Sequence, residues 1–557
     1  MPEYKLYEHT LFLNEIYINI EVKEKTLQAV IIKTGYSVRV MGVAMREVTT
    51  KSIKLNRDLE KMLSEALERD LLVRIGWGRG GDEKPKEGEI GVITHLPEKS
   101  RVLLLGNLGE CAGAMNQGGN FTLQGNCSSM AGAFQENGRI IIEKDAGDKI
   151  GSHMNGGMIN VQGSVSNNAG ESMKGGNIIV RGHAGERAGA GMSGGSIVVL
   201  GSVGKEPGVG MTGGKIIVSG NCPPPGHGAD MRSITSEEIL EISEHLEPLG
   251  LSINKDALVL IAAKERFNSP EPPEANIIEG FEKISITPSS NKRLSKHNPL
   301  DNYTLINPVG DDESGLLFPI PWLIERERGG INESQMLSQQ PCIVRSNPRT
   351  LDLLLIDGEN IVKVSHDLTK CSGVVLDLSS LPGMNDAEIE ALVVSLTSKI
   401  RDKSLVLLKD RVDRVENLFR LIVELNLDGA IIDAASSGGS RAAAALPKIG
   451  LAARAMNIVE QGRHLMIELD ECPNAEDFIV AKGAGCSIIV APETEEKLEE
   501  TLNWLDSSLK GWMIDLGIES IEEITRRNLR ALDYDTAAIS GLRLIGYERP
   551  LPMWLGN

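Results

Sequence analysis

Apolar and polar positions alternate along the first part of the chain. Residues 22–40 read VKEKTLQAVIIKTGYSVRV, and a period of two marks short strands with one buried face. A helical spacing follows over residues 55–69. Between residues 101 and 228 the rhythm changes again, and 31 of the 60 glycines fall in this stretch. Glycine-bearing pairs recur every 19 residues: Gly118-Gly119, Asn137-Gly138, Gly156-Gly157, Gly175-Gly176, Gly194-Gly195 and Gly213-Gly214. Each unit approximates Met-x-Gly-Gly-x-Ile-x-Val, as in MKGGNIIVRGHAGERAGAG from Met173, and Met154, Met173, Met192 and Met211 keep the same interval.

A unit with one short apolar strand (178–180, 197–199, 216–218) has no way to bury its inner face alone, so successive units must stack. The expectation is a right-handed parallel β-helix over residues 76–232, following a small α+β region at 1–75. Glycines are expected at corners that need a positive φ or a close approach between coils. No Asp recurs in register, which argues against a calcium-binding roll.

Prolines at 223–225 end the repeat, and a helix is expected from about Ser236 to the neighbourhood of Pro248. Residues 233–300 read as this helical segment plus a Pro/Ser/Asn/Lys-rich linker over 266–300. From residue 301 to 557, strand-length apolar runs (374–376, 405–408, 430–432, 465–469, 487–490) alternate with helical patterns (386–399, 414–425, 440–459, 494–509). That alternation predicts an α/β domain with a parallel sheet, part of a (β/α) barrel.

Composition sets outer limits. Hydrophobic residues make up 41% and aromatic residues only 4%, while the net charge is −19. Such a charge argues against nucleic acid and anionic membranes as partners. No apolar run reaches the length of a membrane span and the first residues carry no signal-peptide pattern, so a cytoplasmic location is expected. Seven cysteines without a CxxC spacing suggest neither a disulfide framework nor a zinc site.

A few residues stand out as candidate chemistry. Lys409 ends a predicted strand, where barrel enzymes place reactive groups. Gly438, Gly439 and Ser440, followed by Arg441, precede a predicted helix and offer backbone N–H groups to an anion. His153, His183 and His227 are spaced 30 and 44 apart, not in multiples of 19, so they form no shared metal site and are expected at the surface. Cys111 and Cys127 read as small core residues.

Two segments resemble one family. The 19-residue glycine repeat resembles the GXGXG-type β-helix domain of the glutamate synthase large subunit. Residues 301–557 resemble the same enzyme's flavin barrel, through Ser379-Ser380-Leu381-Pro382 and its following helix, LVLLK ending at Lys409, DGAIIDAASSGGSRAAAALPKIGL from Asp428, and HLMIELDECPNAEDFIVAKGAGCSIIVAP from His464. The order of the two segments is reversed relative to that subunit. The resemblance implies FMN at the strand ends, with Lys409 as the catalytic lysine and Gly438, Gly439 and Ser440 at the cofactor.

Several residues depart from the family pattern. Where that family holds the flavin phosphate on glycine loops, this chain has Asp470-Glu471-Cys472-Pro473 and Ala491-Pro492-Glu493. No cysteine follows Cys486, so no iron–sulfur cluster is expected, and the chain begins Met1-Pro2 without a glutaminase cysteine. The early barrel strands are expected to be shortened. Two readings follow. In one, the chain is a scaffold or non-catalytic subunit of a glutamate-synthase-type complex, with glutaminase-type or flavin-barrel chains, or copies of itself, as partners. In the other, it is an FMN-dependent oxidoreductase.

Overall fold

The computed structural model describes residues 15–22, 25–34, 37–39, 46–78, 84–85, 88–264, 280–288, 304–311, 313–329, 338–435, 442–493 and 498–547. The alternating N-terminal segment forms an antiparallel sheet of β1 (Glu15–Val22), β2 (Lys25–Thr34) and β3 (Ser37–Arg39). Helix α1 (Glu47–Glu68) begins earlier than the apolar spacing alone suggested. It buries Leu59, Leu63 and Ala66 against the first coils of the repeat.

The repeat stacks as its period requires. Strands β4 (Val73–Ile75), β5 (Arg101–Leu105), β6 (Gln117–Gln124), β7 (Asn137–Ile142), β8 (Met158–Val161), β9 (Asn177–Val180), β10 (Ser196–Val199) and β11 (Lys215–Val218) pair in parallel. From β7 on, partners lie 19 residues apart, as in Ile159↔Ile178 and Ile178↔Ile197. A second parallel ladder of single bridges joins Leu108, Cys127, Ala146, Val165, Ala184 and Val203. Side chains add a third: Asn107, Asn126, Asp145, Ser164, His183 and Ser202 each accept a hydrogen bond from the backbone N–H one coil later. His183 therefore belongs to a structural ladder of its own register.

The two glycines of a pair have different physical reasons. A Cβ on Gly194 would lie 2.2 Å from the Lys174 carbonyl oxygen of the preceding coil. Gly195 has φ +79°, and a Cβ there would lie 2.6 Å from the Met173 Cε that fills the core beneath it. Glycine does not, however, occupy every left-handed corner. Cys111, Met130, Lys149, Asn168, Arg187 and Glu206 all have φ between 54° and 59°. Inter-coil hydrogen bonds such as Lys149 N to Asn167 O (2.8 Å) offset the cost of that conformation.

Strand β12 (Ala229–Ser233), α2 (Ser236–Leu246) and β13 (Leu258–Ala262) close the far end, where β13 pairs antiparallel with β11. Helix α2 starts at a Thr235–Glu238 capping box. Its Ile242 and Leu246 cover Ile179, Val198 and Ile217 on the outer face of the sheet.

Within the stretch expected to be linker, β14 (Ile284–Ile286) forms, with Phe281, Ile284 and Ile286 buried. Its long-range pairing with a strand near residue 530 was invisible locally. A hairpin of β15 (Thr304–Ile306) and β16 (Leu316–Phe318) then leads into the barrel.

The barrel is closed rather than partial. Its eight parallel strands are β17 (Trp322–Arg328), β18 (Cys342–Ser346), β19 (Leu353–Ile356), β20 (Gly373–Asp377), β21 (Leu405–Arg411), β22 (Gly429–Asp433), β23 (His464–Glu468) and β24 (Ile488–Pro492), and β24 pairs with β17. Helices α3 (Asp386–Lys399), α4 (Val415–Glu424), α5 (Ala442–Ala455), α6 (Ala475–Ala484) and α7 (Leu498–Leu516) follow β20 to β24. Short β25 (Leu529–Ala531), α8 (Tyr534–Ser540) and β26 (Arg543–Leu544) complete the fold beside β14.

What is reduced in the first part of the barrel is its helices, since no α-helix lies between β17 and β20 among the described residues. The coils hold the segment after β19 instead. His95 donates from Nε2 to Ile361 O (2.9 Å), and Gln117 donates to Val362 O (2.6 Å) and Ser365 Oγ (2.9 Å). Cys111, Met115, Met130 and Phe134 of the coils belong to the same buried apolar cluster as Ile361 and Val362.

Candidate functional site at the barrel mouth

Period-two alternation decides which side chains enter the barrel. Leu323, Ile343, Leu355, Val375, Leu407, Ile431, Met466 and Val490 fill its interior, and Ile306 and Phe318 of the hairpin join them. At the N-terminal end, Asp428 accepts the backbone N–H groups of Val309 (2.7 Å) and Val406 (2.8 Å). Two residues beyond each apolar layer, at the C-terminal mouth, the same inward face carries Glu325, Arg345, Asp357 and Asp377, then Lys409, Asp433 and Glu468. This is the end where barrels of this kind place their chemistry.

Lys409 sits in this crown, buried at 7% exposure. Its Nζ lies 2.7 Å from Glu468 Oε2 and 3.6 Å from Asp377 Oδ2. Burial works against the ammonium, but Glu468, Asp377 and Asp433 outweigh it and hold the Lys409 pKa above its ordinary value. Burial also pushes the Glu468 carboxyl up to about 7 in spite of Lys409, with Asp433 and Glu325 acting in the same direction. The surrounding carboxylates thus hold the Lys409 proton against burial, whereas at Glu468 burial leads and the neighbouring carboxylates add to it. Lys409 thus has its charge committed within the protein. Arg345 is likewise paired with Asp357.

The loops beyond the crown test whether a phosphate-bearing cofactor fits. Helix α6 follows β23, and its N-terminus would be the natural phosphate cradle. Asn474 Oδ1 already accepts the N–H groups of Glu476 (2.8 Å) and Asp477 (3.1 Å), while Asp477 closes the capping box onto Asn474 N (2.8 Å). Burial raises the Asp477 pKa to about 6, and Glu282, Glu476 and Glu471 add to the rise. At the end of β24, Glu493 pairs with Arg326 Nε at 3.1 Å. Arg463 offers no compensation, since it bonds Leu427 O and Asn426 at the opposite end of the barrel. Arg454 donates to Gly450 O of its own helix. These residues do not fit the phosphate of FMN. Gly438, Gly439, Ser440 and Arg441 lie outside the described residues.

Above the crown, the coils form a second wall, leaving a cleft of about 630 Å³. Glu136, Asn155 and Lys174 line it one coil apart, beside Phe134 and His153. The His153 ring lies 5.5 Å from the Phe134 ring, and its Nδ1 is 2.9 Å from Ser152 Oγ. Burial, aided by Lys174 and Lys149, lowers the His153 pKa to about 4, so the ring is neutral at pH 7. Glu327, Asp357, Glu359 and Asp377 line the cleft from the barrel side. Cys111 and Cys127 are buried. No group of three or more His, Cys, Asp or Glu positioned for a metal occurs among the described residues. Likewise, no described helix is long and apolar enough to cross a membrane.

The sequence pointed to Lys409 but not to its neighbours. A signal was present, because the strand runs VVLD, AIID and LMIE each end on an acidic residue. Only the closed barrel shows that these ends converge.

No family model and no curated protein matches the chain. Among solved structures, a double variant of flavocytochrome b2 with sulfite bound is 12% identical, covering 46% of this chain and 77% of that one at a TM-score of 0.30. A monotopic membrane protein, (S)-mandelate dehydrogenase, is 13% identical over 45% of this chain and 89% of that one, also at 0.30. A soluble mutant of the membrane-associated (S)-mandelate dehydrogenase from Pseudomonas putida is 13% identical over 45% and 88%, at 0.28.

Proposed function

We propose that the chain is a glutamate-synthase-like protein in which the stacked coils form a GXGXG-type parallel β-helix, and that it acts as a rigid, non-catalytic subunit without flavin chemistry of its own. The observation that carries this reading is the state of the strand ends. Lys409 is committed to Glu468 and Asp377, and the N-terminus of α6 is closed by Asn474. A phosphate dianion brought beside Glu471, Glu476 and Asp477 would meet repulsion with its usual backbone donors already used.

The fixed contact between coils and barrel supports a scaffold role, because it presents two surfaces in one geometry. Candidate partners are glutaminase-type and flavin-barrel chains, which would supply the chemistry this chain lacks.

The test is an absorbance spectrum of the purified protein followed by an FMN titration. A colourless protein that takes up no FMN at micromolar concentration is the expected result. A stoichiometric flavin band would overturn the reading and restore an FMN-dependent oxidoreductase. Co-elution with glutaminase-type or flavin-barrel subunits on gel filtration tests the scaffold half separately.

A further inference from the structure

We propose that the outer face of the coil sheet, from β4 to β9, is a docking surface for an acidic, amphipathic polypeptide segment of a partner protein. Ile140, Ile159 and Ile178 fill the coil core together with the residues two positions on, so the residues between them point outward. Arg74, Leu103, Thr122, Ile141, Asn160 and Ile179 register as one outward row across the six strands. Of this row, only Ile179 belongs to the apolar cluster under α2. The charge on this face opposes that of the chain. Arg74, Arg101, Arg139 and Arg181 stand on it against one carboxylate, Glu143, in a protein of net charge −19. Arg101 pairs with Asp70 at 2.9 Å, and Glu143 accepts from Gln124 Nε2 at 2.9 Å. Arg74, Arg139 and Arg181 have no ion-pair partner among the described residues.

The Nε atoms of Arg139 and Arg181 are buried without an acceptor, and Asn160 Oδ1 is buried without a donor, the residue being 1% exposed. Asn160 lies between the two arginines, one strand from each. A carboxylate laid side-on against a guanidinium fork supplies the acceptor that Nε lacks and adds charge pairing. A peptide also brings backbone N–H groups for Asn160, which a free anion does not. The apolar part of such a segment has its place at the β4 end. A cavity of about 250 Å³ opens there, lined by Met62, Leu71 and Leu72 together with Arg69, Arg74 and Glu65. These three apolar side chains are 39%, 54% and 41% exposed. Because Arg74 lies both on the outward row and in the cavity wall, the apolar recess and the basic face are continuous. A recess for an apolar anchor beside a field of one sign holds a segment of mixed character. A second copy would set this positive face against itself about a two-fold axis. Residues 1–45 carry five acidic and five basic side chains, so they offer no excess of carboxylates.

This docking face rests on the scaffold reading and gives it a partner chemistry, whereas FMN uptake tests that reading by itself. Fluorescence anisotropy of a labelled peptide of alternating Glu and Leu, titrated with the full chain, reads the face directly, with a Glu/Ser peptide of equal length as comparator. Saturable binding of the Glu/Leu peptide is expected, about tenfold tighter than that of the Glu/Ser peptide and weakened by salt. Arg139→Gln/Arg181→Gln is expected to weaken it about tenfold, and Leu71→Ser/Leu72→Ser to bring it to the level of the Glu/Ser peptide. Arg187→Gln/Lys205→Gln removes two exposed cations from a corner of the coils and should leave it unchanged. Equal affinities in the two charge variants, or no peptide uptake by the unaltered chain, would overturn the proposal. So would a smaller mass in sedimentation velocity for Arg139→Gln/Arg181→Gln than for the unaltered chain, which would assign the face to a second copy.

Discussion

Lys149, on a left-handed corner of the coil stack, reaches Glu388 in the first turn of α3, with Nζ 3.0 Å from Oε2. The Glu388 side chain is 1% exposed and also accepts the Asn385 N–H at 3.0 Å. The contact joins a coil to the first turn of a barrel helix.

Lys149→Ala therefore leaves a buried carboxylate without its cation. A loss of about 2–4 kcal/mol is expected in urea unfolding. Coils and barrel should still unfold in one transition, since the shared apolar cluster remains. Two separated transitions in the unaltered protein would show that the interface does not couple them.

Lys409→Met removes the cation from Glu468 and Asp377. At pH 8 the expected loss is roughly 3–5 kcal/mol. At pH 5.5 it should be smaller, because Glu468, with its pKa near 7, is then largely protonated. Urea midpoints at the two pH values check this.

Glu468 makes stability depend on pH in its own right. Its folded pKa of about 7 exceeds its ordinary value of 4.5, so the folded chain binds the extra proton between those limits. Stability must then fall as pH rises through that window, by up to about 3 kcal/mol from this group. The raised Lys409 pKa acts only above the amine's ordinary value of 10.5 and leaves the window unaffected. In Glu468→Gln the fall between pH 4.5 and 7 should flatten, as read by calorimetric Tm across the range.

Gly195→Ala places a Cβ 2.6 Å from Met173 Cε at φ +79°. A cost of about 1–3 kcal/mol is expected. Met173→Ala empties a core site at about 2–5 kcal/mol. Because the second change removes the atom that the first one strikes, the double variant should cost less than the sum of the two. Additive costs would place the strain in the backbone alone.

Asn474→Ala opens the N-terminus of α6 and should cost about 1 kcal/mol. It should not create FMN binding, because Glu471, Glu476 and Asp477 remain. Uptake of FMN by this variant, measured by flavin fluorescence quenching, would show that the cap and not the charge excludes the phosphate.

Local patterns were legible wherever a neighbour in sequence supplies the partner. Residues 386–399 were expected to be helical, and α3 spans Asp386–Lys399 because Asn385 and Glu388 form a capping box four residues wide. The strands ending at Asp377, Asp433 and Glu468 were visible as apolar runs. The earlier strands β17 to β19 were not, since no helical pattern separates them in the described residues. Strand β14 was hidden for a related reason, as its partner β25 lies far along the chain.

By itself the sequence determined the 19-residue stacking and the C-terminal alternation of strands and helices. In a stack each unit meets a near-copy of itself, so period and packing carry the same information. Closure of the barrel, the crown around Lys409 and the cleft facing Glu136 were decided only in three dimensions. Their members come from distant strands and from two separate parts of the chain, and the charge each one feels depends on neighbours that local spacing does not specify.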